Sequence, residues 1–377
     1  MNVYLFSNIT LGYGSPQYIY FLRSLEERGG YDTHSVEIYE EIRKPYKIEN
    51  FDTKRIIVGE SLKKPLAYFK TFRNSYKASK YLIRPVLKLL LQVSTIKIIL
   101  GSYFNKVIVI TTYDSKLFAF LSKNTLIIQN FTEIWNEEYT KKCGNLTSSY
   151  RDSVNICISP QIDRLEIAKS IYKNATHLFA HNAPPKYFSP DLLGGASGKC
   201  VLYQGRIGDL TLANEIISFA NFIDQNTVFH IAGIVEDAYK SKLAEVAKRS
   251  NVFFHGFINA EDLKSIRDTC NIGLVSWSNE TLNTKFAAPN KLYEHMASGH
   301  LVISLENYSI SSMNDIYNFG FIEATGKELA FRLNDSSDSL VNDYGKSNHD
   351  TFIRELNYEN QMEAVFKEID RSLKNLG

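Results

Sequence analysis

Short apolar runs recur along the chain, each separated from the next by a helix-length stretch of mixed polarity. Runs at 3–6, 55–58, 107–110, 125–129, 155–159 and 177–180 have strand length and strand composition. Between the first two, Ser15 and Pro16 open a helical pattern that ends near Gly29-Gly30, with Ser15 as N-cap and Pro16 at the first helical position. After Asn182-Ala183-Pro184-Pro185, the segment 190–198 collects Pro, Asp, Gly and Ser and reads as a linker. The rhythm then restarts, with strands at 201–204, 228–232, 252–255, 272–275 and 301–304 and a charged helical tail from about Glu359 to Asn375. This alternation predicts βαβ units. The expected class is α/β, with two doubly wound Rossmann-like domains facing across a cleft, the first over 1–190 and the second over 199–355. Ligands of such sheets bind at the carboxyl ends of the strands.

Composition agrees with a folded chain of two domains. The 377 residues are 44% hydrophobic and 22% charged, which excludes a disordered or disulfide-knotted protein. A net charge of +2 gives no case for nucleic acid. Cys143, Cys157, Cys200 and Cys270 form no CxxC pair and lack an accompanying His-x3–5-His, so they read as free thiols and no metal is expected. The start Met1-Asn2-Val3-Tyr4-Leu5-Phe6 reads as a strand and not as a signal peptide. No run of about 18 apolar residues occurs. A cytoplasmic protein is expected.

The segment 288–299, Ala-Pro-Asn-Lys-Leu-Tyr-Glu-His-Met-Ala-Ser-Gly, carries the most chemistry. Pro289 and Gly299 punctuate a short helix. Its polar face presents Asn290, Lys291 and Glu294, while Leu292, Tyr293 and Met296 pack. A carboxylate can accept both hydroxyls of a ribose, and an ammonium with first-turn N–H groups can meet phosphate. The same pattern fits an amphipathic helix with a solvated face. Upstream, the strand Val201-Leu202-Tyr203-Gln204 runs into Gly205-Arg206-Ile207-Gly208-Asp209 and then a helix. Arg206 there suits bidentate contact with an oxyanion, or is a surface arginine in a turn.

Taken together, these blocks resemble the second domain of GT-B glycosyltransferases, especially the retaining enzymes of glycosyltransferase family 4. Tyr203-Gln204-Gly205-Arg206 resembles the family's first strand and donor-phosphate arginine. His230-Ile231-Ala232-Gly233 and 251–257 resemble its next two strands, and 288–299 its donor-binding helix. The resemblance implies transfer of a sugar from a nucleotide diphosphate donor (a UDP- or GDP-sugar as co-substrate, with no other cofactor) to a saccharide hydroxyl. It implies retention, and a role in bacterial surface polysaccharide or glycolipid assembly. Carried over by position, Arg206 neutralises the diphosphate, Glu294 holds the ribose, Asn290 and Lys291 line the phosphate side, and Phe257 and Ile258 frame the base. The segment 356–377 would be a helix crossing back to the first domain. In the first domain, Glu133 is a candidate base or polar contact, in Gln129-Asn130-Phe131-Thr132-Glu133, where Thr132 takes the place of a family histidine. His181 is a candidate facing the cleft, or a core histidine. Gly12 and Gly14 mark a loop for donor phosphate or acceptor, although Gln17 spoils a dinucleotide fingerprint.

Two positions depart from the family. The first of its paired glutamates is Phe286 here, with Glu280 as a candidate substitute, and its lysine after the phosphate arginine is missing, with Lys285 or Lys291 as replacements. Two further readings therefore stand beside the transferase: a nucleotide-sugar 2-epimerase, and a non-catalytic partner subunit of the same fold. An NAD-dependent oxidoreductase is remote. Between Ser61 and Tyr113 no acidic residue occurs, while Lys63, Lys70, Arg73, Lys77, Lys80, Arg84, Lys88 and Lys97 interleave with aromatic and aliphatic residues. Residues 63–97 read as a peripheral contact with an anionic membrane, which would bring the enzyme to a lipid-linked acceptor, or as a packed helix with a solvated basic face.

Overall fold

The computed structural model describes residues 1–7, 11, 16–38, 53–58, 84–134, 145–189 and 198–376. Gly12, Gly14, the basic stretch from 63 to 83 and the linker at 190–197 lie outside the described residues. The chain groups into two units: residues 1–180 with 363–377, and residues 181–362.

In the first unit seven strands pair in parallel: β1 (Asn2–Ser7), β2 (Asp32–Ile38), β3 (Lys54–Val58), β4 (Val107–Thr111), β5 (Thr125–Asn130), β6 (Ile156–Ser159) and β7 (Thr176–Phe179). Their order is β3-β2-β1-β4-β5-β6-β7. Helices α1 (Pro16–Glu27), α2 (Arg84–Ser102), α3 (Asn145–Asp152) and α4 (Ile162–Ile171) connect them. Every residue of β4, β5 and β6 is buried, as a parallel sheet covered on both faces requires. Phe6, Val109, Phe118, Tyr150 and Tyr172 share one core cluster.

Strand β2 has no counterpart among the expected strands. Its sequence, Asp-Thr-His-Ser-Val-Glu-Ile, is polar, yet Thr33, Ser35 and Glu37 are buried. Their polar atoms are paired. Arg55 of β3 makes a bidentate contact with Glu37, Nε to Oε1 at 2.9 Å and Nη2 to Oε2 at 2.6 Å. The Leu11 N–H donates to the same carboxylate at 2.7 Å, and Leu11 O accepts from Arg55 Nη2 at 2.9 Å. A buried charge is tolerable only with such partners.

The second unit holds six parallel strands: β8 (Cys200–Gln204), β9 (Val228–Ala232), β10 (Val252–Gly256), β11 (Ile272–Val275), β12 (Leu301–Leu305) and β13 (Gly320–Glu323). The order β10-β9-β8-β11-β12-β13 is the doubly wound 3-2-1-4-5-6 pattern. The connecting helices are α5 (Ala213–Phe222), α6 (Asp237–Val246), α7 (Ala260–Thr269), α8 (Leu282–Lys285), α9 (Asn290–Ala297), α10 (Tyr308–Tyr317) and α11 (Gly326–Asn334). The chain continues through α12 (Asp338–Arg354) into α13 (Tyr358–Asn375), which begins in the second unit and ends in the first. One face of this sheet packs Val201, Tyr203, Phe229 and Ile231 against Phe219 and Leu329. The other packs Val302 and Val275 against Leu292, Tyr293 and Met296 of α9. Each such aliphatic side chain contributes about 1.5–3 kcal/mol on burial. The fold is thus a pair of Rossmann-like α/β domains.

Candidate functional site

Strand order in the second unit reverses between β8 and β11, and the loops leaving those two strands bound the crevice where this architecture takes ligands. The two loops are joined. Ser278 N–H donates to Leu210 O at 2.9 Å, and Ser276 Oγ donates to Thr211 O at 2.9 Å.

Strand β8 leaves the sheet through Gly205, whose φ is +151°, beside Gly233, whose φ is +154°. A Cβ on Gly233 would lie 1.6 Å from Gly205 O, so only glycine lets the ends of β8 and β9 approach this closely. The turn then presents Arg206. Its carbonyl accepts from Tyr203 Oη at 2.6 Å and from Thr211 Oγ1 at 2.9 Å, which fixes the backbone, while its side chain is 71% exposed. Glu236, in the loop after β9, accepts from Arg206 Nε at 2.8 Å. Among the described residues the terminal guanidinium nitrogens have no protein partner, and the side chain is largely open to solvent.

Helix α9 follows. Pro289 is its N-cap and not the first helical residue expected from the sequence, so the helix begins one position later, at Asn290, and Gly299 lies just past its C-cap, Ser298. Glu294 Oε2 accepts from Gln204 Nε2, at the end of β8, at 2.5 Å and lies 4.0 Å from Arg267 Nη1. Arg267, on α7, is buried and lies over the Phe188 ring at 4.1 Å. Gln204 Oε1, Arg267 Nε and His295 Nε2 are buried without a protein partner among the described residues. Asn290 and Lys291 are half-buried at the start of α9. Burial holds His295 and His300 neutral, their Nδ1 atoms 3.1 Å apart.

Other expected residues fall as follows. Phe257 is exposed and lines a cavity of about 480 Å³ with Gly233, Ile234, Lys240, Leu243 and Phe254, beyond the carboxyl ends of β9 and β10. Ile258 packs inward against Leu202, Ala232, Leu263 and Cys270. Phe286 meets Tyr308 edge-on, with centroids 5.5 Å apart, and Lys285 Nζ lies 5.1 Å from the Tyr308 ring. Lys285 is therefore engaged with aromatic faces. Glu280 is exposed in the loop before α8. In the first unit Glu133 is exposed just past β5, beside buried Arg164, which donates to Thr132 O. Thr132 Oγ1 and Tyr18 Oη lie 2.7 Å apart. His181 is buried in the second unit, with Nδ1 2.6 Å from Tyr293 Oη, and burial lowers its pKa to about 4.

The structure brings Arg206 and Glu294 to one end of the sheet through Gln204. Sequence reading missed Glu236 and Arg267, which stand on separate elements and carry no spacing signal that links them to Arg206 or Glu294.

No family model matches the chain, and no curated protein matches it in sequence. Solved structures do match in fold. The crystal structure of WaaG, a glycosyltransferase involved in lipopolysaccharide biosynthesis, is 11% identical with a TM-score of 0.63, over 96% of this chain and 98% of that one. Anabaena HepE in complex with UDP-glucose is 11% identical with a TM-score of 0.68, over 98% and 100% of the two chains. A variant of S. aureus TarM, in complex with fondaparinux, α-GlcNAc-glycerol and UDP, is 12% identical with a TM-score of 0.62, over 97% and 99%. The chain therefore shares the two-domain GT-B fold of these proteins along nearly its whole length.

Proposed function

We propose that the protein is a glycosyltransferase that moves a sugar from a nucleotide diphosphate, a UDP- or GDP-sugar, to a saccharide hydroxyl. The observation that carries this is the meeting of β8 and α9, where Gln204 holds Glu294 two residues before Arg206. The likeness in fold to glycosyltransferases, one solved with UDP-glucose, supports it.

In this reading the second unit holds the donor and the first serves the acceptor. Glu294 takes the ribose hydroxyls, Phe257 and its cavity take the base, and Asn290 and Lys291 line the phosphates. The bond from the sugar's anomeric carbon to phosphate oxygen breaks, and its electron pair leaves with the nucleoside diphosphate. Arg206 meets that growing charge, so it stabilises the transition state more than the bound donor. The acceptor oxygen bonds to the anomeric carbon, with retention, and its proton passes to the departing phosphate. We place the enzyme in the cytoplasm, in bacterial surface polysaccharide or glycolipid assembly, on a lipid-linked acceptor.

Helix α2 supports peripheral membrane contact. Val93, Ile96 and Leu100 are exposed at helical spacing, Tyr103 and Phe104 follow, and Lys97 is exposed among them. Among the described residues no helix is long and apolar enough to cross a membrane. Salt-sensitive pelleting with anionic vesicles, lost in an Ile96→Asp/Leu100→Asp variant, is expected, and no pelleting at low salt refutes the contact.

The test of the function is a thermal-shift panel of UDP-, GDP-, ADP- and CMP-sugars. A donor at 100 times its Kd stabilises by about 2.7 kcal/mol. Silence across the panel refutes the donor site. Phe286, packed on Tyr308, favours a second reading as a non-catalytic subunit of the same fold, for which a nucleotide binds but no sugar is transferred or hydrolysed.

A further inference from the structure

On the face of the second sheet that carries α7, three donor side chains from three elements converge. Cys200 opens β8, His230 is the central residue of β9, and Cys270 caps the end of α7. The two sulfurs are 3.0 Å apart, and one donor atom from each of the three residues lies within 4.8 Å of the others. We propose that Cys200, Cys270 and His230 form a binding site for a soft divalent metal ion, Zn²⁺.

The surroundings fit a metal better than a plain thiol pair. His230 Nδ1 lies 2.9 Å from His255 Nε2, which leaves Nε2 of His230 for the cluster. A histidine ligand is ordinarily held this way, with its second ring nitrogen bonded to a neighbour that fixes tautomer and orientation. The rings of Phe253 and His255 both stack on His230, with centroids 5.2 and 5.1 Å away. The thiol-bearing backbone is equally fixed. Asn271 Oδ1 accepts from Cys200 N–H at 2.9 Å, and Asn271 N–H donates to Cys200 O at 3.1 Å. A disulfide needs no oriented imidazole.

Two thiolates on tetrahedral Zn²⁺ stand roughly 3.8 Å apart, given Zn–S bonds of about 2.3 Å. The sulfurs therefore separate by less than about 1 Å on binding. Uptake releases two protons, one from each thiol, and the bound unit of one Zn²⁺ and two thiolates is neutral. Cys270 is buried, while Cys200 and His230 are partly exposed, so a water or small ligand can complete the coordination. The ion would pin the end of α7 to β8 and β9.

The test is titration of the whole, reduced protein with Co²⁺ and with Zn²⁺. One equivalent of Co²⁺ is expected to give a thiolate-to-cobalt charge-transfer band that one equivalent of Zn²⁺ abolishes. Zn²⁺ is also expected to protect Cys200 and Cys270, but not Cys143 or Cys157, from alkylation read by mass spectrometry. The Cys270→Ser and His230→Ala variants should each weaken binding at least tenfold. Absence of the band in the unmodified protein, a band that persists in a Cys200→Ser/Cys270→Ser variant, or recovery of only a Cys200–Cys270 disulfide after metal addition overturns the proposal.

Discussion

Gln204 Nε2 donates to Glu294 Oε2 at 2.5 Å, which ties the last residue of β8 to the polar face of α9 across 90 positions of sequence. The carboxylate is thereby held on a rigid sheet end, with buried Arg267 4.0 Å away. Glu294→Ala removes the acceptor from both groups. It should destabilise the protein by about 1–3 kcal/mol in urea unfolding, because buried donors are left unpaired. Glu294→Gln keeps an acceptor for Gln204. It should retain most stability yet weaken nucleotide affinity about tenfold or more, as the charged hydrogen bond to ribose is lost. Equal nucleotide affinity in Glu294→Gln and the parent would remove Glu294 from the donor site.

Arg206 is exposed and its contacts with the fold run mainly through its backbone carbonyl. Arg206→Ala should therefore leave the melting temperature nearly unchanged. Turnover should fall roughly 10- to 100-fold, from the loss of a charged hydrogen bond worth about 1.5–3 kcal/mol. Steady-state kinetics with the donor found in the thermal-shift panel check this.

His181 predicts a pH dependence of stability. Burial lowers its folded pKa from the ordinary 6.5 to about 4. The unfolded chain takes up this proton near 6.5, while the folded chain resists it until pH nears 4. Stability is therefore full above about pH 6.5 and falls as pH drops toward 4, by at most about 3 kcal/mol for this group. Buried His295 and His300 act in the same direction. His181→Gln, which keeps an acceptor for Tyr293, should flatten the profile of unfolding midpoint against pH; an identical slope would locate the acid sensitivity elsewhere.

Two glycines of the second unit share a positive φ and differ in crowding. Gly233→Ala places a methyl group against Gly205 O and should cost at least about 3 kcal/mol. Gly256 has φ of +66° but open space around its absent side chain, so Gly256→Ala should cost only about 1–2 kcal/mol. Paired urea midpoints give the comparison.

The second unit was legible because its strands announce themselves. Val-Leu-Tyr-Gln and Leu-Val-Ile-Ser are apolar runs, and Pro289 and Gly299 bracket α9. Strand β2 was not legible, because its inward positions are Thr33, Ser35 and Glu37, whose burial depends on Arg55 and other distant partners. Strand β13 was missed because its four residues begin with Gly320 and end with Glu323. The Arg206–Glu236 pair and the cluster of Cys200, His230 and Cys270 arise only when the sheet lays separate strands side by side. Spacing along the chain carries no trace of such neighbours.

The clasp between Glu37 and Arg55 has a reach beyond its own two strands. Both ends of the Leu11 peptide are gripped by it, through the N–H and the carbonyl. The placement of Leu11 is thus dictated by a carboxylate and a guanidinium more than 20 positions downstream. Drift at position 55 would accordingly displace Leu11 without altering any residue next to it in sequence.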